Sequence, residues 1–401
     1  MNLAFYTNFA STISQQEAQL NKLEQQTATG LAVQTPDQNP AAYETATIGN
    51  DQINALASDT NTQATIQSQL GSVNDTFQSV SSLLDNVQSV IEQGLNGTTS
   101  AANLQSLATQ VNAAASQLVS LGNTTGSNGS YLFGGSRGSI APFQTTQGST
   151  VAYMGDGGQS LAAITPDTVA ATITNGDVFM SGLSGDGSAT VAANAANTGS
   201  AVLLSNGIAN PAAASAFQTG NSPITLSFAS GAGGLTYTAS QGGSTIATGS
   251  AAAGASLQLA GVDFQLSGGP AAGDSFTISP SRPQSAFALL QSVATAMASA
   301  GTTPAQVAQT RQQLNNGLSA LAQYQQSIIT SQAQNGVTLQ AVNNAQTNNT
   351  NQETALQSAV QKAVGVNMPV AITQLNESIT AIQAAMKAFS SAQSLSLFSY
   401  L

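Results

Sequence analysis

Four groupings in this sequence carry reactive side chains close together along the chain. These are Lys22 with Glu24, Lys387 with Ser390, the aspartate of Asp156-Gly157-Gly158 and the aspartate of Gly185-Asp186-Gly187. The two lysine groupings could serve as general-acid or Ser–Lys pairs. Both fall in helical patterns, where such residues on an exposed face are ordinarily solvated and do no chemistry. The two aspartate segments look like fragments of Ca²⁺ loops. An EF-hand takes ligands from alternating positions and a bidentate Glu from the twelfth, and neither segment supplies them. Both therefore read as turns, and weak Ca²⁺ binding by lone carboxylates is the only metal chemistry left open.

The rest of the inventory narrows the choice further. The 401 residues include no Cys, no His and no Trp. Without thiols there is no disulfide scaffold, thiolate metal site or Cys nucleophile. Without imidazole the chain lacks the side chain that titrates near neutral pH and the commonest metal ligand. The Ser-His-Asp and Cys-His arrangements, zinc sites and most general-base designs drop out together. No Gly-rich loop ends in a Lys that could hold phosphates. The expectation is a protein that is not an enzyme, with no catalytic residue, no cofactor and no metal.

Seventeen acids stand against six bases, for a net charge of −11. The bases are Lys22, Arg137, Arg282, Arg311, Lys362 and Lys387, and they never cluster. Binding a phosphate backbone takes several grouped cations, so nucleic acid is not an expected partner. No apolar run approaches the length of a membrane span. The start, Met1 to Asn8, lacks the basic stretch and apolar core of a cleavable secretory signal, so export is expected to leave the chain uncleaved.

Long elements dominate both ends. Ile66, Leu70, Val73, Phe77, Val80, Leu84, Val87 and Ile91 alternate steps of four and three. Leu104, Leu107, Val111, Ala114, Leu118 and Leu121 do the same. A 4-3 repeat holds one stripe against a partner helix over many turns, as in coiled coils. Asn96-Gly97 between the stretches reads as the turn of a helical hairpin. A helix from about Tyr43 to Gly94 would span on the order of 75 Å. Leu314, Leu318 and Leu321 start another stripe that Ile328 continues, and Leu356, Val360 and Ala363 resume it. Val366-Asn367-Met368-Pro369 interrupts it, because proline lacks the donor and crowds the preceding turn. Ile372, Leu375, Ile379, Ile382, Met386 and Phe389 then restore the step. At the other terminus Leu3, Tyr6, Ala10, Ile13 and Leu20 fit it, with Glu17 as a lapse and Gly30 as the C-cap.

Between roughly Tyr153 and Pro280 the period becomes two, as in Ile224-Thr225-Leu226-Ser227-Phe228 and Val262-Asp263-Phe264-Gln265-Leu266, with Gly-Gly pairs as punctuation. Short alternating strands at this spacing suggest a β-sandwich or barrel-like body. From Gly138 to Ser281 there are six Asp and neither Lys nor Arg. The expected fold is mainly α: a long antiparallel helical rod or coiled coil built from both ends of the chain, with a surface β-sandwich-like domain inserted. The expected domains are 1–42 with 364–401 as terminal helices, 43–150 with 281–363 as the rod, and 151–280 as the β insert. The terminal helices lie beyond breaks at Gly30 and Pro369, so their stripes are expected to pack on each other and on neighbouring subunits. In the isolated monomer they are expected to be disordered.

Two segments carry a family resemblance. One runs from Leu118 through Gly122-Asn123 and Tyr131-Leu132-Phe133-Gly134-Gly135-Ser136 to Ala141-Pro142-Phe143. The other is Ala384 to Ser390 with Ser394-Leu395-Ser396-Leu397-Phe398-Ser399-Tyr400-Leu401. Both resemble the flagellin-type family of flagellar axial proteins, in its hook-associated protein 3 branch of hook–filament junction proteins. Thr29-Gly30-Leu31-Ala32-Val33 with Pro36 to Ala42 is similar to that family's turn after its first helix, and Pro40 favours the junction branch over flagellin. Asn197-Thr198-Gly199 with Gly268 to Phe276 resembles its β-domain. Leu31 departs from the pattern, standing where the family commonly has Lys or Arg.

The resemblance implies a structural component of the bacterial flagellum, exported uncleaved by the type III apparatus and polymerising into a ring between hook and filament. Its terminal helices would form the inner tube, the rod the next shell and the β-domain the outer surface. The implied partners are copies of itself, the other hook-associated junction protein, flagellin and a dedicated export chaperone. The expected assembly interface is Leu3, Tyr6, Ile13, Leu20, Ile372, Leu375, Ile379, Ile382, Met386, Phe389, Leu395, Leu397 and Phe398. The alternatives are flagellin itself, a secreted adhesin or translocator with a helical stalk and β head, and a carboxylate enzyme carried by the β-domain.

Overall fold

The computed structural model describes residues 3–146, 150–165 and 168–398. Three helices open the chain, α1 (Leu3–Thr29), α2 (Pro40–Leu95) and α3 (Ala101–Gly122). Two hairpins follow, β1 (Phe143–Thr145) with β2 (Val151–Tyr153), and β3 (Ser160–Thr165) with β4 (Thr168–Ile173), then the single turn α4 (Asp177–Met180). Next come β5 (Gly182–Leu183), β6 (Ala189–Ala193), β7 (Val202–Ile208) and the helix α5 (Pro211–Gly220). The strands β8 (Ile224–Gly231), β9 (Gly234–Gln241), β10 (Ser244–Ser250), β11 (Ser256–Leu259), β12 (Val262–Ser267), β13 (Ser275–Pro280) and β14 (Pro283–Gln284) complete the middle. Helices α6 (Ala286–Ala298), α7 (Pro304–Val364) and α8 (Met368–Phe398) close the chain. This is the helical, strand, helical order and the mainly α class read from the sequence.

Residues 1–61 with 344–401 form one compact unit and 62–343 another. In the second, the 4-3 stripe of α2 is the buried face. Val73, Phe77, Val80, Leu84, Val87 and Ile91 share one core with Leu104, Leu107, Val111 and Leu118 of α3 and Leu314, Leu321 and Ile328 of α7. Each such side chain contributes roughly 1.5–3 kcal/mol when fully buried. The hairpin turn falls at Asn96, whose carbonyl accepts from Thr99 N at 3.1 Å, and Ser100 caps α3 by accepting from Asn103 N at 3.2 Å. The sequence stripe started at Leu314, but a further helix, α6, lies in this core with eight buried residues. Its buried face, Phe287, Leu290, Ala294 and Met297, steps by three and four, while Ala288, Ser292, Thr295 and Ala298 stay exposed.

The region expected as a single β body from 151 to 280 is divided between cores. Phe143 and Phe179 join the helical core, their ring centroids 5.3 Å apart, with Phe287 5.0 Å from Phe143 and Phe133 5.1 Å from Phe179. Ile164 and Ala170 of the β3–β4 hairpin pack on Ile66, Leu70 and Val342. Phe143, Ile164, Ala170 and Phe179 thus join the two hairpins and α4 to helical cores.

The β body proper has its own core. A five-stranded antiparallel sheet in the order β10-β9-β8-β13-β6 and a three-stranded sheet β11-β12-β7 enclose Ile224, Leu226, Phe228, Leu257, Leu259, Val262, Phe264, Leu266, Phe276 and Ile278. Alternate residues of β8 are buried and exposed, as a sheet with one wet face requires. Helix α5 corrects the expectation of strand throughout this stretch. Asn210 caps it by accepting from Ala212 N and Ala213 N, and Pro211 occupies its first turn.

Candidate assembly interface

In the unit formed by residues 1–61 and 344–401, α1 and α8 pack side by side and antiparallel. Along α1 the inward residues are Phe9, Ile13, Gln16, Leu20, Leu23 and Thr27, with Leu23 only 3% exposed. Along α8 they are Ala371, Leu375, Ser378, Ile382, Ala385 and Phe389. Both runs alternate steps of four and three, which keeps one seam closed along the pair. At one end Phe389 stacks on Phe9 with centroids 4.2 Å apart and meets Tyr6 edge-on at 5.6 Å. Such aromatic pairs add about 0.5–1.5 kcal/mol beyond their buried area.

At the other end the two interhelical turns are stitched together. Gly30 stops α1 in the left-handed region at φ +74°, where a side chain is strained although nothing lies within 4 Å of a Cβ built there. Its carbonyl accepts from Val366 N at 2.9 Å, and Ala32 N donates to Val364 O at 2.7 Å. Leu31 faces Gly365 in an isolated antiparallel bridge. Asn39 caps α2 by accepting from Ala42 N at 3.2 Å, and Asn367 accepts from Val370 N at 3.4 Å. Pro40 and Pro369 therefore sit in first helical turns, where the missing donor costs nothing. Next to the turns, Gly49 of α2 lies so close to α7 that a Cβ there would meet Val360 Cγ2 at 2.5 Å.

Most of the expected interface residues lie on or beside this seam. Ile13, Leu20, Leu375, Ile382 and Phe389 are in it, and Tyr6 touches Phe389. Ile372 and Met386 are 44% and 52% exposed. With half-buried Ile379 they form a seven-residue repeat on the flank of α8, an apolar edge beside the closed seam. The side chains of Leu3, Leu395, Leu397 and Phe398 lie outside the described residues. Sequence reasoning missed Phe9, Leu23 and Ala371. The seam passes through Phe9 and Gln16, leaving Ala10 and Glu17 exposed, so the lapse at Glu17 came from setting every second stripe position one residue too late. Leu23, read together with Ile13 and Leu20, was the available signal.

The reactive groupings are placed apart. Lys22, Glu24, Lys387 and Ser390 are all exposed. Asp156 accepts from Ser136 Oγ, from Ser136 N at 2.7 Å and from Gly158 N at 3.0 Å, with Arg137 Nε 3.8 Å away. The Ser136 hydrogen bonds, above all, hold its carboxyl below the usual carboxylate range. Asp186 accepts from Ser188 N at 2.8 Å and Ala189 N at 2.7 Å. Both carboxylates lock turns. Among the described residues no three of Asp, Glu, His and Cys come together, and no helix is long and apolar enough to cross a membrane.

Residues 2–137 match the bacterial flagellin N-terminal helical region. The flagellar hook-associated protein 3 of Escherichia coli K12 is 33% identical over 140 residues, 35% of this chain and 44% of that protein. The chain thus spans under half the length of this relative in the match. The crystal structure of FlgL from Xanthomonas campestris is 27% identical with a TM-score of 0.68, covering 77% of this chain and 97% of that one. That of the flagellar hook associated protein-3 from Legionella pneumophila is 25% identical with a TM-score of 0.72, covering 79% and 98%. These likenesses bear out the resemblance read from the two sequence segments, and the fold class with it.

Proposed function

We propose that this chain, alike to the hook-associated protein 3 branch of the flagellin-type axial proteins, is a structural subunit joining hook to filament in the bacterial flagellum. The observation that carries the reading is the antiparallel pairing of α1 with α8. The two ends of the chain close one seam, and α8 keeps Ile372 and Met386 exposed beside it. A free apolar edge at heptad spacing on a helix that already has one partner suits packing against a second copy. Likeness over nearly the full length of the Xanthomonas campestris FlgL and Legionella pneumophila hook associated protein-3 structures supports this reading.

On this reading the paired terminal helices face the inside of the assembly, the longer helices form the next layer and the β body lies outermost. The chain leaves the cell uncleaved through the flagellar export apparatus, escorted by a dedicated chaperone. It then forms a ring with copies of itself, contacting the other hook-associated junction protein on one side and flagellin on the other. It performs no catalysis, since the reactive groupings are either exposed or locked in turns.

Deleting the gene in its own organism tests this. Loss of a junction subunit leaves completed hooks with no filament and flagellin shed into the medium. Filaments still attached to hooks in the deletion strain would overturn the assignment. Loss of the filament itself with the junction proteins in place would point to flagellin.

A further inference from the structure

We propose that Arg311 and Thr310 form a carboxylate-binding site where the α2–α3 and α6–α7 turns meet, occupied by an Asp or Glu of a second copy of this chain. A cavity of about 80 Å³ lies there, lined by Gly94, Gly97, Ala101, Ala300, Thr310 and Arg311 among others. Thr310 is 7% exposed, and its hydroxyl makes no hydrogen bond within the described residues. That is unlike Thr295 or Thr330, whose hydroxyls bond the carbonyl four residues back. Half-buried Arg311 runs alongside the turn, its Nη2 3.2 Å from where a Cβ on Gly97 would sit. Its guanidinium is likewise unbonded: among the described residues the one ion pair is Arg137 with Asp156.

An unpaired guanidinium and the unpaired hydroxyl of a largely buried threonine, both opening on one small cavity, suit an anion with oxygen acceptors. Ala101 opens α3, which brings the positive end of that helix dipole to the same place. The planar fork of Arg matches a carboxylate bidentately, and a cavity this size admits a carboxyl group and little more. The chain itself is the richest source: it carries 17 acids against six bases. Copies of so acidic a chain repel, and Arg311 is a cation left free to offset that. The choice of a second copy rests on the self-assembling reading above; the site does not.

The test has two arms. Full-length protein labelled with ¹⁵N-arginine is titrated with sodium acetate against sodium chloride at equal ionic strength. R311K assigns the Arg311 Nε–Hε resonance by removing it. That resonance should shift saturably with acetate while those of Arg137 and Arg282 do not, and T310V should weaken the binding by about threefold or more. An Arg311 resonance that stays still, or moves in step with the other two, overturns the site. In the second arm, assembled R311K is treated with a carbodiimide. The introduced amine should join an Asp or Glu of another copy, giving a linked dimer that R311Q lacks. Saturable acetate binding without that product overturns the second copy as occupant and leaves a free small anion. Failure of the wild type to assemble strikes at the reading of function, whereas the acetate arm is read on the unassembled chain.

Discussion

Gln312 of α7 holds the free edge of β7 by taking both backbone groups of Leu203. Leu203 N donates to Gln312 Oε1 at 2.8 Å, and Gln312 Nε2 donates to Leu203 O at 3.0 Å. β7 is the outer strand of the sheet β11-β12-β7, so the side-chain amide stands in for a missing neighbouring strand. Gln312 is 1% exposed and Leu203 fully buried, so water cannot replace either bond. Gln312→Leu should therefore cost roughly 2–6 kcal/mol, the sum of two buried groups left unsatisfied. Gln312→Glu should be at least as harmful, since a carboxylate presents no donor to Leu203 O. Denaturant unfolding of the full chain measures both. Wild-type stability in Gln312→Leu would show that the pair is replaceable.

What the sequence could show depended on how unevenly each element meets its surroundings. The stripe from Ile66 to Ile91 was legible because α2 has one buried face and one wet face. Helix α6 has a wet face too, at Ala288, Ser292 and Thr295, but its 13 residues hold too few turns for the repeat to stand out beside the long stripes. Helix α5 hid in a Gly- and Ser-rich stretch, although Asn210-Pro211 is a start signal in its own right. Gln312 looks like any polar residue of a helix, and only the fold brings Leu203 to it. Among the interface residues, the phase of α1 went astray because Gln16, a polar residue, occupies a seam position.

Gly30 gives a clean test of the stitched turns. Its φ is +74° and the space around it is open, so a methyl group there meets backbone strain and no clash. Gly30→Ala should cost about 1–2 kcal/mol, and Gly30→Asn less, because Asn tolerates the left-handed region. The loss should appear as faster proteolytic cleavage near residue 30 in the alanine variant. Equal cleavage in all three proteins would mean that the α1–α2 turn relaxes to another geometry.

Asp156 links stability to acidity. Its folded carboxyl titrates below the usual range, so its contribution is fully present above the ordinary carboxylate value of about 3.9. The contribution is lost as pH falls through the depressed folded value. The stability difference between wild type and Asp156→Asn should thus be flat near neutral pH and shrink on the acid side. Ser136→Ala removes the main cause of the depression and should flatten the pH dependence of that difference. Thermal unfolding between roughly pH 3 and pH 7 follows it; a difference that grows toward acid would contradict the sign.

Ile382 and Ile372 separate folding from assembly on one helix. Ile382 is 7% exposed in the seam with α1, whereas Ile372 is 44% exposed on the flank of α8. Asp at 382 buries an unpaired charge against α1 and should cost several kcal/mol, freeing both terminal helices to proteases. Asp at 372 meets water in the isolated chain and should change its unfolding by less than about 0.5 kcal/mol. In the assembly, by contrast, the flank of α8 is proposed to meet a second copy, where the same charge would be desolvated. Ile372→Asp should then fold normally, be exported normally and leave cells without attached filaments. Ile372→Ala, which removes area without adding charge, should assemble more weakly than wild type but still give attached filaments. Full motility with Ile372→Asp would move the interface to another face of the helix pair, while a matching loss of fold in both Asp variants would place Ile372 inside the unit.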